Sequence, residues 1–308
     1  MQPRKFIKYV QNPFLLFWRL GLDGHFQFIP DRLYLQLCFR IRMGHWPNLD
    51  SPRTFSEKLQ WLKLYDRRPD YTRLADKLAV RDHVEKTIGA QHLIPLLGVW
   101  DTAEEIDFDA LPDRFVLKCT HDSDSAVLCP DKAQLDVEKA RASLARHLAK
   151  NYYWASREWS YRDIPPRVIA EQFMVDESGR ELKDYKFFCF DGEPRALFIA
   201  SDRASKTEET KFDFFDMDFR LLPFTNGHPN SGRPIPRPKT FEEMKALART
   251  LSRGWPHVRV DLYDVNGQIY FGELTFAHWG GLTPFVPEEW DAHFGRWLRL
   301  PPPYVPAP

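Results

Sequence analysis

The chain has 308 residues, enough for one large domain or two to three smaller units around shared cores. Hydrophobic residues at 43% and charged residues at 28% are ordinary globular usage, which excludes disordered, collagen-like and mucin-like classes. Lysine plus arginine and aspartate plus glutamate each number 43, so no net charge draws the chain toward nucleic acid or an anionic membrane.

Residues 1–50 read as a helical, aromatic segment. Its apolar run from Phe14 to Leu22 is broken by Arg19 and is too short to span a bilayer. No small-residue cleavage site follows it. With Arg4, Lys5, Lys8 and Arg19 nearby, a helix packed on the body of the protein is preferred over one lying on a membrane surface. A turn-rich break follows at residues 47–52. Region 51–112 opens with Thr54 and Glu57, spaced as a capping box, and continues with Leu59, Trp61, Leu62 and Leu64 as an apolar stripe. A second helix is expected from near Asp76 to Gly89.

The pattern then turns to strands. Region 113–175 carries the strand FVLKC, the polar loop THDSDS and the strand AVLC, a hairpin with polar groups at its tip. A helix is expected from Leu135 to Tyr153, and a strand from Val168 to Phe173. Region 176–300 begins with a turn at 176–179. Strands from Lys183 to Phe190 and from Arg195 to Ala200 flank the Asp191-Gly192 turn, and a hairpin-like pair is expected over 212–219. A Pro-rich loop over 229–238 precedes a helix from Phe241 to Leu251. Strands from Val258 to Val265 and from Gln268 to Leu274 meet at Asn266-Gly267. A Pro-rich tail fills 301–308. Strand pairs alternating with helices predict an α+β fold of two small subdomains. Aromatics at 15% fit large cores and are compatible with a sugar- or base-stacking surface. Cys38, Cys119, Cys129 and Cys189 form no C-x-x-C pair, so a reducing, cytoplasmic location is expected.

The last hairpin carries the sharpest chemistry. Arg259 and Asp261 lie two apart on one strand and so share a face; Glu273 and Thr275 do the same on its partner. Their apolar neighbours suggest a strand covered on one side only. Asp261 and Glu273 across an antiparallel pair could hold Mg²⁺, which takes one or two carboxylates plus phosphate oxygens; a solvated surface face is the plainer alternative. Lys118 at the root of the polar loop could hold an anion or reach solvent. Asp76-Lys77 at an expected helix N-terminus is a weaker anion candidate. Lys183, Lys186 and Arg203 are further candidates, mostly explained as surface charge. Gly280 and Gly281 permit close backbone approach. His278 is either a base, a polar contact or a satisfied structural histidine.

In combination and in order, the segments TFSEKLQWLKLYDRRPDYTRLADKLAVRDHV, IPLLGVWD, FVLKCTHDS, ELKDYKFFCFDGEPR and VRVDLYDVNGQIYFGELTF resemble the ATP-grasp superfamily. The branch they resemble is the TupA-like (teichuronopeptide-biosynthesis-like) one, over about residues 50–300. The resemblance implies an ATP-grasp fold gripping ATP between two α+β subdomains, with Mg²⁺. It implies a carboxylate–amine ligase working through an acyl phosphate, on a cell-surface polysaccharide or its precursor. Lys77 and Lys118 take the positions of the two ATP lysines, and Glu171-Gln172-Phe173 that of the adenine hinge. Glu181 falls where an acid meets the ribose; Ser123 and Lys186 are further nucleotide contacts. Asp261, Glu273 and Thr275 fall on the metal ligands. Arg259, His278, Gly280 and Gly281 fall at the reacting end.

Two departures stand out. Thr275 replaces the usual Asn, and THDSDS holds no glycine, while Asp122 and Asp124 repel a triphosphate unless they bind metal or point away. They motivate a second reading, a nucleotide-binding module without catalysis. A third is a polysaccharide glycosyltransferase with an Asp-x-Asp metal site at Asp122-Ser123-Asp124 or Asp216-Met217-Asp218.

Overall fold

The computed structural model describes residues 13–176, 182–202 and 209–306. The first helices, α1 (Pro13–Leu22) and α2 (Asp31–Met43), form a small aromatic unit. Phe17 stacks on Phe26 and Tyr34 at 4.7 and 5.4 Å between centroids. Over its described length α1 therefore lies on the body of the protein, as the sequence favours. Among the described residues no helix is long and apolar enough to cross a membrane. All four cysteines are buried and free.

Helix α3 (Phe55–Tyr65) starts at the expected capping box: Thr54 Oγ1 accepts from Glu57 N, and Glu57 Oε2 accepts from Thr54 N. Glu57 also accepts from the amides of Asn48 and Arg53, which stitches the preceding turn to the helix. The helix expected from Asp76 to Gly89 begins only at Val80, as α5 (Val80–Ile88), and a further short helix, α4 (Asp70–Ala75), precedes it. Asp76 breaks the run because its carboxylate accepts from Leu78 N at 2.8 Å, a local bond that competes with the helix. Lys77 thus sits in a turn between helices rather than opening one.

The first sheet is antiparallel, in the order β1 (Leu96–Trp100), β4 (Val168–Gln172), β2 (Phe115–Cys119), β3 (Val127–Cys129). One face carries Phe115, Leu117, Val168 and Ala170 and packs against Ala140 and Leu144 of α6 (Val137–Leu148). Alternation puts Lys118 and Glu171 on the other face. The expected helix to Tyr153 ends at Leu148, and a short α7 (Tyr153–Ser156) follows.

The second sheet is antiparallel too, with β5 (Asp184–Phe190), β6 (Glu193–Ser201), β7 (Lys211–Asp216), β9 (His257–Val265) and β10 (Gln268–Thr275) in the order β10-β9-β5-β6-β7. A small pair is made by β8 (Thr225–Asn226) and β11 (Phe285–Val286). Asp191-Gly192 and Asn266-Gly267 hold positive φ at both positions, the geometry of the two-residue hairpins that their sequences predict.

Both faces of this sheet are covered. Phe187, Val260 and Phe271 pack against Met244 and Ala248 of α8 (Phe241–Leu251) and Val84 of α5. Phe188, Phe190 and Phe198 pack against Phe55 of α3 and Phe294 of α9 (Glu289–Trp297). The expectation of a strand covered on one side only is therefore corrected. The polar face of β9 is buried as well, with Asp261 1% and Arg259 8% exposed. A bulge at Gly272 sets the phase of β10: Ile269 and Phe271 face the α8 core, and after the extra residue so do Leu274 and Phe276. Glu273 and Thr275 are thereby turned to the opposite face, directly across from Asp261 and Arg259.

Candidate active site

The site grows from the second face of β9, β10 and β5. Arg259 is its hub. Its Nε and Nη2 donate to the two oxygens of Asp261, both at 2.7 Å. Nη2 also reaches Glu273 Oε1 and Thr275 Oγ1 at 3.0 Å, and Nη1 donates to His278 Nδ1 at 2.9 Å. Lys186, paired in register with Asp261, donates to Asp261 and to Asp184. Three carboxylates, Asp184, Asp261 and Glu273, thus share two cations. Burial works against charge on Arg259, but Asp261 and Glu273 outweigh it and hold the guanidinium charged. Burial likewise opposes ionisation of Glu273. Arg259, Lys186, Lys77 and Lys118 together prevail and bring its pKa down to about 2. Two cations from the second sheet, one from the first and one from the α4–α5 turn therefore bear on one carboxylate.

His278 is not placed as a base. A guanidinium only donates, so His278 Nδ1 accepts from Arg259; the ring proton then sits on Nε2, which donates to Asn226 Oδ1 at 2.9 Å. Burial, then Arg259, pushes its pKa well down, so the ring stays neutral. Its role is to orient Arg259. The Thr275 hydroxyl accepts from Arg259 and lies 3.3 Å from Glu273 Oε1, so it orients these groups.

Above this face lies a cavity of about 520 Å³. Of the residues singled out from sequence, Ser123, Asp124, Lys186, Arg259, Glu273, Thr275, His278 and Gly280 line it. The others stand next to it or outside. Lys118 pairs with Glu171 at 2.6 Å, and Arg81 holds the other Glu171 oxygen at 3.1 Å. Glu171 therefore positions Lys118, with both of its carboxylate oxygens occupied. Gln172 is exposed at the end of β4, its amide bonded to the Pro95 carbonyl. Phe173 lies under the Arg114 guanidinium at 4.8 Å. Glu181 and Arg203 lie outside the described residues.

The loop between β2 and β3 answers the question raised by its aspartates. Asp122 is 5% exposed and turned inward: Ser125 Oγ donates to it at 2.6 Å and His147 Nδ1 lies 2.5 Å away. Its carbonyl accepts from Lys77. Asp124, at φ 70°, does line the cavity beside Ser123. Asp216 caps its own turn, accepting from the amides of Asp218 and Arg220, and Asp218 pairs with Arg220. Neither Asp-x-Asp run presents two carboxylates to the cavity.

The Gly280-Gly281 turn is fixed from α3. Lys63 Nζ donates to the Gly280 carbonyl at 2.6 Å, and Gln60 Nε2 donates to the carbonyls of Gly280 and Gly281, both at 2.9 Å. Burial lowers the Lys63 pKa to about 8. The turn carries Trp279, which is 43% exposed at φ 50° on the cavity wall. Tyr152, Glu158 and Tyr161 also line the cavity, and the sequence reading missed them.

The model of the TupA-like ATP-grasp family matches residues 57–299. The chain belongs to that family. The ATP-grasp fold follows, here built from the two antiparallel sheets with the helical N-terminal unit before them. Solved structures similar to it include D-alanine–D-alanine ligase from Bacillus anthracis complexed with ATP, at 13% identity and TM-score 0.37, covering 66% of this chain and 54% of that one. The ATP-grasp ligase PsnB, complexed with minimal precursor, Mg and ADP, matches at 11% identity and TM-score 0.38, covering 83% of this chain and 65% of that one. N5-carboxyaminoimidazole synthase from Aspergillus clavatus matches at 12% and 0.38, covering 68% and 46%. The chain thus spans about half to two thirds of the length of these relatives. No curated protein matches it.

Proposed function

We propose that this ATP-grasp protein is an ATP- and Mg²⁺-dependent carboxylate–amine ligase. The observation that carries the reading is that Lys186 and Arg259 line one cavity with Glu273, Arg259 donating to it at 3.0 Å, while Lys118 of the other sheet and Lys77 of the α4–α5 turn add to the positive field that keeps Glu273 ionised. A fixed set of cations beside a carboxylate suits a triphosphate and its metal, because phosphoryl transfer depends on positioning and on neutralising charge.

Among the described residues no three His, Cys, Asp or Glu are grouped to hold a metal alone. Glu273, which lines the cavity, is a hard oxygen donor that fits Mg²⁺ once nucleotide oxygens complete its shell. Asp261, adjacent across β9 and β10, has both oxygens held by Arg259 and Lys186 and would join only by releasing them. Bound there, Mg²⁺ would neutralise charge on the transferring phosphoryl group. In the first step a substrate carboxylate oxygen attacks the γ-phosphorus, the bond to the β–γ bridging oxygen breaks, and ADP leaves. Lys186 and Arg259 stabilise the developing charge. In the second step an amine nitrogen attacks the acyl carbon, its proton departs, and the bond from that carbon to the phosphate oxygen breaks to release phosphate.

The finer reading makes the acceptor a cell-surface polysaccharide or its precursor, in keeping with the aromatic wall of Trp279, Phe212 and Tyr152. The subdomains gripping ATP are assigned to 113–175 and 176–300, and the reaction to the cytoplasm. ADP release over a panel of carboxylates and amines tests the ligase assignment. It is supported by turnover that needs both partners and disappears in Glu273→Ala, and refuted by ATP binding without ADP release for any pair.

A further inference from the structure

Glu158 is a carboxylate that the steps above do not use. Its residue is 5% exposed, yet it lines the same cavity as Arg259, beside the Gly280 turn. Its position comes from an unusual backbone. Arg157 before it holds φ 54°, the left-handed region that a bulky residue occupies only when its surroundings insist. Those surroundings are Asp31 at 3.1 Å, the Phe26 carbonyl at 2.7 Å, the Trp154 carbonyl at 3.1 Å and the Tyr34 ring at 4.2 Å. The side chain of Arg157 is thereby buried away from the cavity, and the next residue, Glu158, lines it.

Around Glu158 the charges are few. No cation among the described residues stands at ion-pair distance from its carboxylate. Lys63 is turned to the carbonyls of Ser156 and Gly280 and to Gln60 Oε1. Ser156 neighbours it; Arg259 and Glu273 face it from β9 and β10. Tyr152 and Tyr161 stand at its sides, and burial followed by the Glu158 charge keeps both phenols protonated. Burial holds the Glu158 carboxyl above the ordinary carboxylate range, although Lys63, Ser156 and Arg259 pull it down. A buried carboxylate facing a cavity with no cation of its own is costly unless a bound group supplies one.

The cavity thus holds two unlike sets of groups. Arg259 and Lys186 suit the acyl phosphate. Glu158 suits a cation. An amine substrate arrives as an ammonium at neutral pH and cannot attack until it loses a proton. We propose that Glu158 receives the ammonium of the amine substrate and takes its proton as the nitrogen attacks the acyl phosphate. One nitrogen–hydrogen bond breaks as the oxygen–hydrogen bond forms on Glu158, and the freed lone pair attacks the acyl carbon. The bond from that carbon to the phosphate oxygen then breaks, and the departing phosphate carries off the second nitrogen proton as the amide forms. This rests on the ligase reading above.

The test uses the full chain in two arms. Glycinamide binding is followed by tryptophan fluorescence, with Trp18 and Trp279 in the cavity wall as reporters and Mg²⁺ and ATP present. Glu158→Gln should weaken glycinamide by about tenfold or more, the worth of a charge-assisted hydrogen bond, and acetamide should not distinguish the proteins. Equal glycinamide affinity in both, or none in the wild type, overturns the inference. In the second arm hydroxylamine, mostly unprotonated at neutral pH, replaces the amine on any carboxylate that the wild type activates. The ratio of amide to hydroxamate should fall by about 100-fold in Glu158→Gln and recover in part in Glu158→Asp. Equal loss of both products marks a structural role and also overturns it. No hydroxamate from the wild type with any carboxylate defeats the ligase reading instead, and leaves the binding arm to decide.

Discussion

Gly280 and Gly281 are neighbours with nearly the same backbone, at φ 61° and 65°, yet alanine should affect them very differently. Left-handed backbone costs an L-residue about 1–2 kcal/mol wherever it occurs. At Gly280 that is the whole cost, because a Cβ there would meet nothing closer than Glu158 at 3.5 Å. At Gly281 the Cβ would fall 2.5 Å from Gln60 Nε2, 2.9 Å from Leu59 Cβ and 3.2 Å from the Ser56 carbonyl. Leu59 and Ser56 belong to the body of α3 and cannot swing away. Overpacking adds about 1–3 kcal/mol, for a total of about 2–5 kcal/mol at Gly281→Ala against about 1–2 at Gly280→Ala. Relieving the clash would also lift the turn off Gln60 and Lys63, so Gly281→Ala should weaken ATP turnover beyond its effect on stability. Gly267→Ala, at φ 88° with open space around it, is the control for strain alone. Urea unfolding of the three variants supplies the comparison. Gly281→Ala no less stable than Gly280→Ala would refute the close docking of the turn on α3.

Arg259→Met should cost about 3–5 kcal/mol, since it strands the buried Asp261 with Lys186 alone, and should abolish ATP turnover; an unchanged urea midpoint would contradict the hub. Glu171→Gln should weaken ATP binding nearly as much as Lys118→Ala, because Glu171 holds that lysine at 2.6 Å; calorimetric affinities unaffected by Glu171→Gln would remove its positioning role. Stability should fall on acidification below the ordinary imidazole range. His257 is buried with a pKa lowered to about 3, so the unfolded chain binds more protons than the folded one between that value and the unfolded one, and stability rises with pH across the window. The effect has an upper bound of roughly 4–5 kcal/mol, and His257→Phe should flatten the slope of urea midpoint against pH; an unaltered slope would reject the assignment.

Much of this fold is legible in the sequence because local signals agree with tertiary ones. Thr54 and Glu57 do cap α3, and Asn266-Gly267 and Asp191-Gly192 do turn hairpins. Alternation puts Arg259 with Asp261 and Glu273 with Thr275, but the Asn266-Gly267 turn alone would set Asp261 against Gly272; the bulge at Gly272 is what brings Glu273 and Thr275 across from Asp261 and Arg259. The bulge had a signal that period-two counting alone passes over: apolar residues at 269, 271, 274 and 276 change phase at Gly272. Asp76 misled because an aspartate that can cap a following helix can also end a preceding one. His278 could not be assigned from sequence, since its tautomer is set by Arg259 and by Asn226, 52 residues away. Glu158 was hidden for a similar reason. It sits in YWASREWSY, an aromatic stretch of no clear period, and is placed by Arg157 through contacts with the N-terminal unit.

The central claim is that Mg²⁺ and ATP bind at Glu273, under cations drawn from both sheets. Calorimetric titration of ATP, with and without Mg²⁺, on the wild type and Glu273→Ala tests it most directly. Binding that requires Mg²⁺ in the wild type and is lost in a variant with an unchanged urea midpoint is the predicted result. Wild type that binds no ATP, or a variant that binds as tightly as wild type, would contradict it.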